Sequence, residues 1–205
     1  MLNIYLVRHG QDADNEKGIL NGHRDEPLTA LGLTQAERLA EFVKERNLSF
    51  DKVYSSPLQR AYVTATKITE ALDLPSPEVL LELIERDFGV LTGEKVSDIT
   101  RLCAPDILET DTVTYFLEVE GAETYPQLIV RAQNLLKFVS DNYSEANILL
   151  VGHGDFGKMI YAAYYNLPWD EALKNFHFGN SELVLLSPNE DFSKAQIFKT
   201  TQFNS

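Results

Sequence analysis

The sequence predicts an α/β fold of three layers, with a mostly parallel central sheet and helices on both of its faces. Short apolar runs that suit buried strands alternate along the chain with segments whose apolar residues recur at helical spacing, and this alternation is typical of such sheets. The run at 147–151 is apolar on both faces, as expected of a central parallel strand. No internal repeat divides the 205 residues, so we expect one domain over residues 1–205.

The first predicted strand ends in the triplet Arg8-His9-Gly10. An apolar run through Val7 indicates a buried strand, and Gly10 marks the point where the chain turns. His9 therefore stands at the exit of a strand beside Arg8, whose charge is permanent, and the pair suits attack on an anion such as a phosphoryl group. By itself, an Arg-His pair at a strand end is more often a surface cluster, so this hypothesis depends on the segments that follow.

Two helices and a second strand are predicted next. Thr29 is a candidate N-cap for a helix from residue 30 to about 47. Its apolar stripe consists of Leu33, Ala36, Leu39, Ala40 and Val43. A strand at 52–55 is followed by Ser56 and Pro57, which predict the cap and the first residue of the next helix. Arg60 then lies in the first turn, where helices bind anions, although a solvated arginine is an equally good interpretation of this residue alone.

The stretch at 79–83 predicts a further strand or extended segment, which leads to two candidate carboxylates. Glu85 stands where the apolar run stops and a glycine-containing loop begins, so its side chain can reach a site at the edge of the sheet. Glu82 alternates with core leucines and is interpreted as a buried or edge carboxylate.

The segment from 102 to 130 contains no lysine or arginine. Its acidic residues are Asp106, Glu109, Asp111, Glu118, Glu120 and Glu123. The irregular pattern predicts one or two short helices and an excursion over the site, which we interpret as a cap insertion around 94–125. A capping box at Thr124 and Gln127 then predicts the start of a long helix that ends near Asn142.

The central strand at 147–151 leads into Gly152-His153-Gly154-Asp155. We predict a helix from Phe156 to about Asn166, with Asp155 as its N-cap. The stretches at 181–187 and 195–200 predict closing strands.

One edge of this sheet is predicted to collect polar side chains. In open α/β sheets, ligands bind beyond the carboxyl ends of the strands. The residues at or just after such ends are Arg8, His9, Arg60, Glu85 and His153. Two arginines, two histidines and a carboxylate from separate segments are hard to explain as structural residues alone.

Composition limits the partners of the chain. Its 31 acidic and 18 basic residues give a formal net charge of −13, which repels nucleic acid and anionic membrane surfaces. No apolar stretch approaches the roughly 20 residues of a membrane helix, and no basic targeting region is seen at the N-terminus, so we expect a cytoplasmic protein with no membrane partner. The single cysteine, Cys103, is interpreted as a buried small hydrophobe.

Several stretches occur in a familiar order between residues 4 and 157. They are Leu6-Val7-Arg8-His9-Gly10, Asn15, the runs at 25–32 and 55–61, Glu85-Arg86-Asp87-Phe88-Gly89, and Val151-Gly152-His153-Gly154. Together they resemble the histidine phosphatase superfamily and, within it, the phosphoglycerate mutase branch. A match in several ordered segments is far more specific than any single motif.

The resemblance implies a role for each residue at the sheet edge. His9 is implied as the nucleophile that forms a phosphohistidine, and Glu85 as the group that protonates the leaving oxygen and then activates water. The implied ligands of the substrate are Arg8, Asn15, Gly22, Arg60, His153 and Gly154. His23 follows Gly22 on the loop at the rim of the pocket, where plain exposure and a substrate contact are both open interpretations. No metal ion or other cofactor is implied, because arginine and histidine side chains supply the positive charge.

Two positions depart from the pattern of the family. Asp12 stands where the family usually has a small hydroxyl residue, and its carboxylate would repel a phosphate in the pocket, so we expect it to point outward or to limit which substrates fit. Asp155 follows the second histidine, close to where the acid phosphatase branch has its proton donor. We favour Glu85 as the donor because Asp155 suits the role of a helix N-cap. His177 is interpreted as a structural loop residue.

The acidic cap favours hydrolysis. Mutases of this branch typically carry an arginine-rich cap segment for a second anionic group, whereas this segment has no basic residue. The apolar and aromatic residues of the cap, Tyr115, Phe116, Leu117 and Tyr125, suggest a leaving group that is not strongly anionic. We therefore expect a phosphatase whose partner is a small phosphorylated substrate.

Three alternatives accompany this expectation. They are phosphoglycerate mutase activity, a non-catalytic relative that binds phosphorylated ligands, and a phosphohistidine protein phosphatase. The last is disfavoured because a cap would obstruct a protein substrate. The oligomeric state stays open, with a homodimer among the alternatives.

Overall fold

The computed structural model describes residues 1–187 and 195–199. Within these ranges the strands are β1 (Leu2–Arg8), β2 (Lys52–Ser55), β3 (Glu78–Val79), β4 (Ile107–Glu109), β5 (Thr114–Phe116), β6 (Ala146–Gly152), β7 (Leu183–Leu186) and β8 (Gln196–Phe198). The helices are α1 (Ala13–Lys17), α2 (Ala30–Glu45), α3 (Gln59–Ala71), α4 (Ile99–Cys103), α5 (Tyr125–Asn142), α6 (Gly154–Tyr165) and α7 (Trp169–Asn175). The strand predicted at 195–200 corresponds to β8, and its last residue lies outside the described residues.

The central sheet has the strand order β3-β2-β6-β1-β7-β8. Strands β3, β2, β6 and β1 are parallel, whereas β7 and β8 are antiparallel to their neighbours. The mostly parallel sheet is therefore confirmed, with β6 inside it as predicted. Pairing of β1 with β6 sets Arg8 opposite Gly152, so the two histidines that follow leave the sheet side by side.

The two faces of the sheet carry separate cores. Successive side chains of a strand point to opposite faces. In β1, Ile4 and Leu6 accordingly pack in the core formed with α5 and α6, while Tyr5 and Val7 pack in the core formed with α2 and α3. Burial of each such apolar side chain stabilises the fold by about 1.5–3 kcal/mol. The three-layer arrangement with helices on both faces is confirmed.

The caps of two helices are confirmed. The Thr29 hydroxyl accepts a hydrogen bond from the Gly32 N–H at 3.0 Å, which caps α2. Thr124 and Gln127 form the predicted capping box of α5. Leu33, however, is 37% exposed. Gln35 is buried in this helix instead. Its side-chain carbonyl oxygen accepts a hydrogen bond from the Gln11 N–H in the loop after β1.

Helix α3 begins later than predicted. It starts at Gln59, so Ser56 and Pro57 are not its cap and first residue. The Gln59 N–H donates instead to a carboxylate oxygen of Asp25 at 2.6 Å, and this distant side chain caps the helix. The hydroxyl of Ser56 is engaged in the site described below.

The stretch at 79–83, predicted as a strand or an extended segment, is a strand only at its start. Only Glu78 and Val79 pair with β2, and Leu81–Leu83 forms a 3₁₀ turn. Glu82 is exposed in this turn and is therefore not the buried or edge carboxylate that the pattern suggested.

The segment at 94–125 contains a hairpin that the sequence analysis did not predict. Strands β4 and β5 pair antiparallel, after a 3₁₀ turn at Val96–Asp98 and helix α4. A third apolar cluster, which includes Phe88, Ile99 and Phe116, joins this segment to the loop before it. Cys103 is buried in that cluster, as predicted. No helix of the described residues is long and apolar enough to cross a membrane.

Candidate active site

His9 follows β1 and is almost fully buried. Its backbone N–H donates to the Gly152 carbonyl at 3.0 Å, which holds it beside the end of β6. Its Nδ1 lies 2.6 Å from the Gly10 carbonyl oxygen, so Nδ1 carries a proton and Nε2 keeps a lone pair. Burial, and then the charges of Arg60 and Arg8, lower the pKa of His9 well below its ordinary value. The imidazole is therefore neutral at neutral pH and has the electronic state of a nucleophile.

A second buried histidine lies beside the first. The ring centroids of His9 and His153 are 5.1 Å apart. Nε2 of His153 lies 2.7 Å from the Ser56 hydroxyl, which itself accepts from the Leu58 N–H, so the hydroxyl proton is available to Nε2. Nδ1 of His153 is then protonated, and it is buried with no partner in the described part of the chain. Such a donor suits an oxygen of a bound ligand.

Arg60 lies in the first turn of α3 and has no exposed surface, which excludes the interpretation as a solvated arginine. Its Nη1 donates to the Arg24 carbonyl at 2.5 Å and its Nη2 to the Gly22 carbonyl at 2.9 Å. Its Nε lies 3.2 Å from Oδ2 of Asp12. The guanidinium therefore connects the loop after β1 to α3.

The expectation that Asp12 points outward is wrong. Asp12 is fully buried, and its Oδ1 accepts from the Asn15 N–H at 2.7 Å, which caps α1. Its Oδ2 accepts from the Asn21 amide at 2.7 Å and pairs with Arg60. Burial raises the pKa of Asp12, and the Arg60 charge opposes this shift. The carboxylate faces inward because its negative charge is needed beside an otherwise unpaired guanidinium.

Arg8 lies at the end of β1 against the first residue of α6. Its Nη1 donates to the Phe178 carbonyl at 2.8 Å, while its Nε is buried without a partner among the described residues. A Cβ built on Gly154 would lie 3.3 Å from Cζ of Arg8. Because glycine has no side chain, the guanidinium can approach the N-terminus of α6 closely.

The carboxylate of Glu85 caps the N-terminus of α6. Its Oε1 accepts from the Phe156 N–H at 3.0 Å and from the Arg86 N–H at 2.8 Å, and its Oε2 accepts from the Asp155 N–H at 3.2 Å. The prediction that Asp155 is the N-cap is therefore wrong, because Glu85 occupies that role. Burial and the Asp155 charge raise the pKa of Glu85, although the backbone donors oppose them.

Asp155 points toward Arg86 instead. Its Oδ2 accepts from the Tyr125 hydroxyl at 2.9 Å and from Nη1 of Arg86 at 3.3 Å. Arg86 is fully buried, with Cζ 4.0 Å from the ring centroid of Phe116 and 4.1 Å from that of Tyr125. It also donates to the Glu123 carbonyl at 2.7 Å. These contacts fix the segment at 94–125 and the start of α5 against the sheet edge.

A cavity of about 100 Å³ lies between the sheet edge and the segment at 94–125. Four of the predicted site residues, Arg8, Asn15, Glu85 and Gly154, line it. His9, Arg60 and His153 are buried beside these residues rather than on the cavity wall. Among the described residues, no group of three or more His, Cys, Asp or Glu side chains is arranged to hold a metal ion.

The remaining predicted ligands differ in their placement. Asn15 lines the cavity, and its side-chain oxygen accepts from the Asn180 amide at 3.3 Å. Gly22 and His23 do not line the cavity. The Gly22 carbonyl accepts from Arg60, and Nε2 of His23 lies 2.8 Å from the Glu85 carbonyl. Their role as substrate ligands stays a prediction.

The cavity wall contains three further charged residues, Arg86, Asp155 and Lys158. The sequence left open whether two of them, Arg86 and Lys158, reach the substrate, and it assigned Asp155 to a helix cap. Asp155 and Lys158 are three residues apart on one helix and so share a face, which is a signal that could have found them. Arg86 offers no such signal, because its partners come from distant segments. The sequence also left open whether Arg24 and Arg101 reach the substrate, and neither residue lines the cavity.

Comparison with known proteins places the chain in a family. Residues 4–200 match the family described as histidine phosphatase superfamily (branch 1). Phosphoserine phosphatase 1 from Hydrogenobacter thermophilus is 31% identical over 155 residues, which are 75% of this chain and 71% of the relative. A 2,3-bisphosphoglycerate-dependent phosphoglycerate mutase from Chelativorans sp. is 35% identical over 123 residues, 59% of this chain and 60% of the mutase. The structure of a mycobacterial glucosyl-3-phosphoglycerate phosphatase superposes with a TM-score of 0.77 at 27% identity, over 90% of this chain and 92% of that one.

Proposed function

This chain belongs to the histidine phosphatase superfamily, and we propose that it hydrolyses a small-molecule phosphate monoester through a phosphohistidine on His9. One observation carries the proposal: the buried His9 is neutral, its Nδ1 is bonded to the Gly10 carbonyl, and its Nε2 lone pair lies among the charges of Arg8 and Arg60. Relatives named as phosphatases support hydrolysis.

Transfer to the enzyme needs positive charge around the phosphorus atom. Nε2 of His9 attacks phosphorus, so that the P–N bond forms while the ester P–O bond breaks. Arg8 and Arg60 carry permanent charges, and the Nδ1–H of His153 is an unpartnered donor among the described residues. These three groups bind the phosphoryl oxygens and stabilise the charge on them in the transition state.

Glu85 serves both half-reactions. Its raised pKa favours the protonated carboxyl, which donates its proton to the oxygen that leaves. The resulting carboxylate then takes a proton from water as the water oxygen attacks phosphorus and the P–N bond breaks. Inorganic phosphate leaves, and His9 and Glu85 return to their starting states. The positive charge comes from side chains in this scheme, so we propose that no metal ion is required.

The segment at 94–125 acts as a cap that restricts the site to small esters. It closes one side of a cavity of about 100 Å³, and Tyr115 and Phe116 of this segment line that side. A protein substrate would have to displace the contacts of Arg86 with Phe116 to approach His9.

Phosphoglycerate mutase activity is the second candidate, because the chain is also similar to proteins named as mutases. A mutase returns the phosphoryl group from histidine to a second hydroxyl rather than to water. The segment at 102–130 offers no basic residue for a second phosphate, which favours hydrolysis. A non-catalytic phospho-ligand binder is a third candidate, and the full set of His9, Glu85 and the phosphate ligands argues against it.

Phosphate release from p-nitrophenyl phosphate, measured with EDTA present, tests the proposal. We expect activity in the wild type and in Glu82→Gln, whose carboxyl is exposed and outside the cavity. His9→Ala should lose at least about 1000-fold in kcat/KM, and Glu85→Gln about 100- to 10,000-fold. Full activity of His9→Ala would refute the phosphohistidine route. Faster conversion of 3-phosphoglycerate to 2-phosphoglycerate than phosphate release would identify a mutase.

A further inference from the structure

Lys158 is a buried lysine in the wall of the active-site cavity. It lies in the second turn of α6, is only 6% exposed, and lines the cavity together with Arg8 and Asp155. Lysine is almost never buried to this degree unless its charge is paired. Its ammonium group lies 4.7 Å from the centroid of the Tyr115 ring, and this contact with a neutral ring supplies no counterion for the positive charge.

The charge of Lys158 has no carboxylate partner among residues 1–187 and 195–199. Its Nζ donates to the Tyr115 hydroxyl at 2.6 Å, but no Asp or Glu oxygen of this part of the chain forms an ion pair with it within 4.0 Å. The more exposed Lys67, Lys137 and Lys174 each pair with a carboxylate. Because an unpaired charge is costly to bury, the missing partner of Lys158 is expected to be a ligand.

Two other charges of the cavity wall, those of Arg86 and Asp155, are paired with each other. Arg86 donates to Asp155 and to the carbonyls of Phe116 and Glu123. Asp155 receives, in addition, the hydroxyl of Tyr125. Asp155 is therefore engaged by Arg86 and Tyr125, and among the described residues Lys158 and Arg8 are the cations of the cavity wall that form no ion pair.

Lys158 shares the cavity with the phosphoryl ligands. After burial, the charges of Lys158 and Arg8 are the next causes that lower the pKa of His177, so both cations act on the same neighbour. The space that they line together is about 100 Å³. An ester whose phosphoryl group is bound at Arg8 therefore has Lys158 in the wall of the same cavity, within the space available to its leaving group.

We propose that Lys158 and Tyr115 form a subsite for a carboxylate on the leaving group of the phosphate monoester, an inference that rests on the proposed function. The ammonium group of Lys158 supplies the countercharge. The Tyr115 hydroxyl accepts from Lys158 and keeps its own proton, which it can donate to the second carboxylate oxygen. The subsite would thus satisfy both oxygens of one carboxylate.

A second phosphate is a poorer occupant of this subsite. It would bring about two negative charges, against a single lysine and a cap segment that has no basic residue. The sequence predicted a leaving group that is not strongly anionic, on the composition of the cap alone. The lysine comes from α6 rather than from the cap, which revises that expectation to a leaving group with one negative charge.

A matched pair of esters tests the subsite. 3-Phosphoglycerate and glycerol 3-phosphate share a three-carbon skeleton and differ in a carboxylate that replaces a hydroxymethyl group. We expect the ratio of kcat/KM for the first ester to that for the second to fall about 10- to 100-fold in Lys158→Met, chiefly through KM. Lys158→Arg should restore part of the ratio. Lys137→Met removes the same charge from the exposed side of α5 and should keep the wild-type ratio.

An unchanged ratio in Lys158→Met would overturn the subsite, even if kcat/KM fell equally with both esters. The Kd of 3-phosphoglycerate for His9→Ala, measured by calorimetry, tests the subsite without depending on catalysis. We expect Lys158→Met to raise its Kd about 10- to 100-fold on that background. If the wild type released phosphate from neither of these esters nor from p-nitrophenyl phosphate but Kd still rose, the function would be wrong and the subsite would stand. If release depended on His9 but neither Kd nor the ratio changed, only the subsite would be wrong.

Discussion

Nε of Arg60 lies 3.2 Å from Oδ2 of Asp12, and neither side chain has any exposed surface. The pair explains how an acidic residue can stand next to the proposed phosphate site. The negative charge of Asp12 is matched by Arg60, whereas Arg8 forms no ion pair among the described residues. Asp12 is thus a positioning residue that acts through Arg60.

Removing Asp12 should destabilise the protein. In Asp12→Ala the guanidinium of Arg60 stays buried without its countercharge, and breaking such a pair costs about 3–5 kcal/mol. Unfolding in urea, followed by circular dichroism, measures the change in the free energy of unfolding. Asp141→Ala breaks an exposed pair with Lys137 on α5 and should cost less than about 1 kcal/mol. Similar losses in the two variants would contradict the importance of the buried pair.

The pH dependence of kcat/KM should show the effect of the Asp155 charge on the pKa of Glu85. Transfer to His9 needs the protonated Glu85 carboxyl, so kcat/KM should fall as pH rises through its pKa. The Asp155 charge raises that pKa, and Asp155→Asn should therefore move the alkaline limb to lower pH. Profiles of kcat/KM with glycerol 3-phosphate check the shift. An alkaline limb that disappears in Asp155→Asn but persists in Glu85→Gln would identify Asp155 as the proton donor.

The buried histidines should make the protein less stable in mild acid. Burial and the Arg60 charge lower the pKa of His9 and of His153 below the ordinary value of 6.5. Below pH 6.5 the unfolded chain binds protons that the folded chain does not, so the free energy of unfolding falls as pH decreases, by up to about 1.4 kcal/mol per pH unit for each histidine. His153→Gln should reduce this slope between pH 7 and pH 5. Urea titrations at several pH values measure it, and an unchanged slope would contradict a neutral, buried His153.

A side chain at Gly10 should disturb both folding and catalysis. A Cβ built there would lie 2.3 Å from the Gly32 carbonyl oxygen, so Gly10→Ala forces the loop after β1 away from α2. Overpacking of this kind costs about 1–3 kcal/mol, and it moves the carbonyl that orients His9. We expect lower stability in urea together with slower release of phosphate from p-nitrophenyl phosphate. Gly152→Ala, whose Cβ would meet its nearest atom at 3.4 Å, should be the milder change, and the reverse order would refute the steric argument.

Local patterns were sufficient for the fold class and for part of the site. The alternation of apolar side chains in β1 and β6 assigns one face of each strand to each helical layer. His9 and His153 could be placed at the same edge because both directly follow these parallel strands. The first turn of α3 was predicted two residues early, since its cap is the distant Asp25 rather than the neighbouring Ser56.

The sequence by itself determined which residues stand at the carboxyl ends of the strands, because buried strands and amphipathic helices leave a periodic record along the chain. Only the tertiary structure decided what those residues face. Glu85 reaches the Phe156 N–H across 71 positions, and Lys158 reaches the Tyr115 hydroxyl across 43. Contacts of this kind depend on how whole elements pack, and a polar side chain carries no local signal of the partner that packing brings to it.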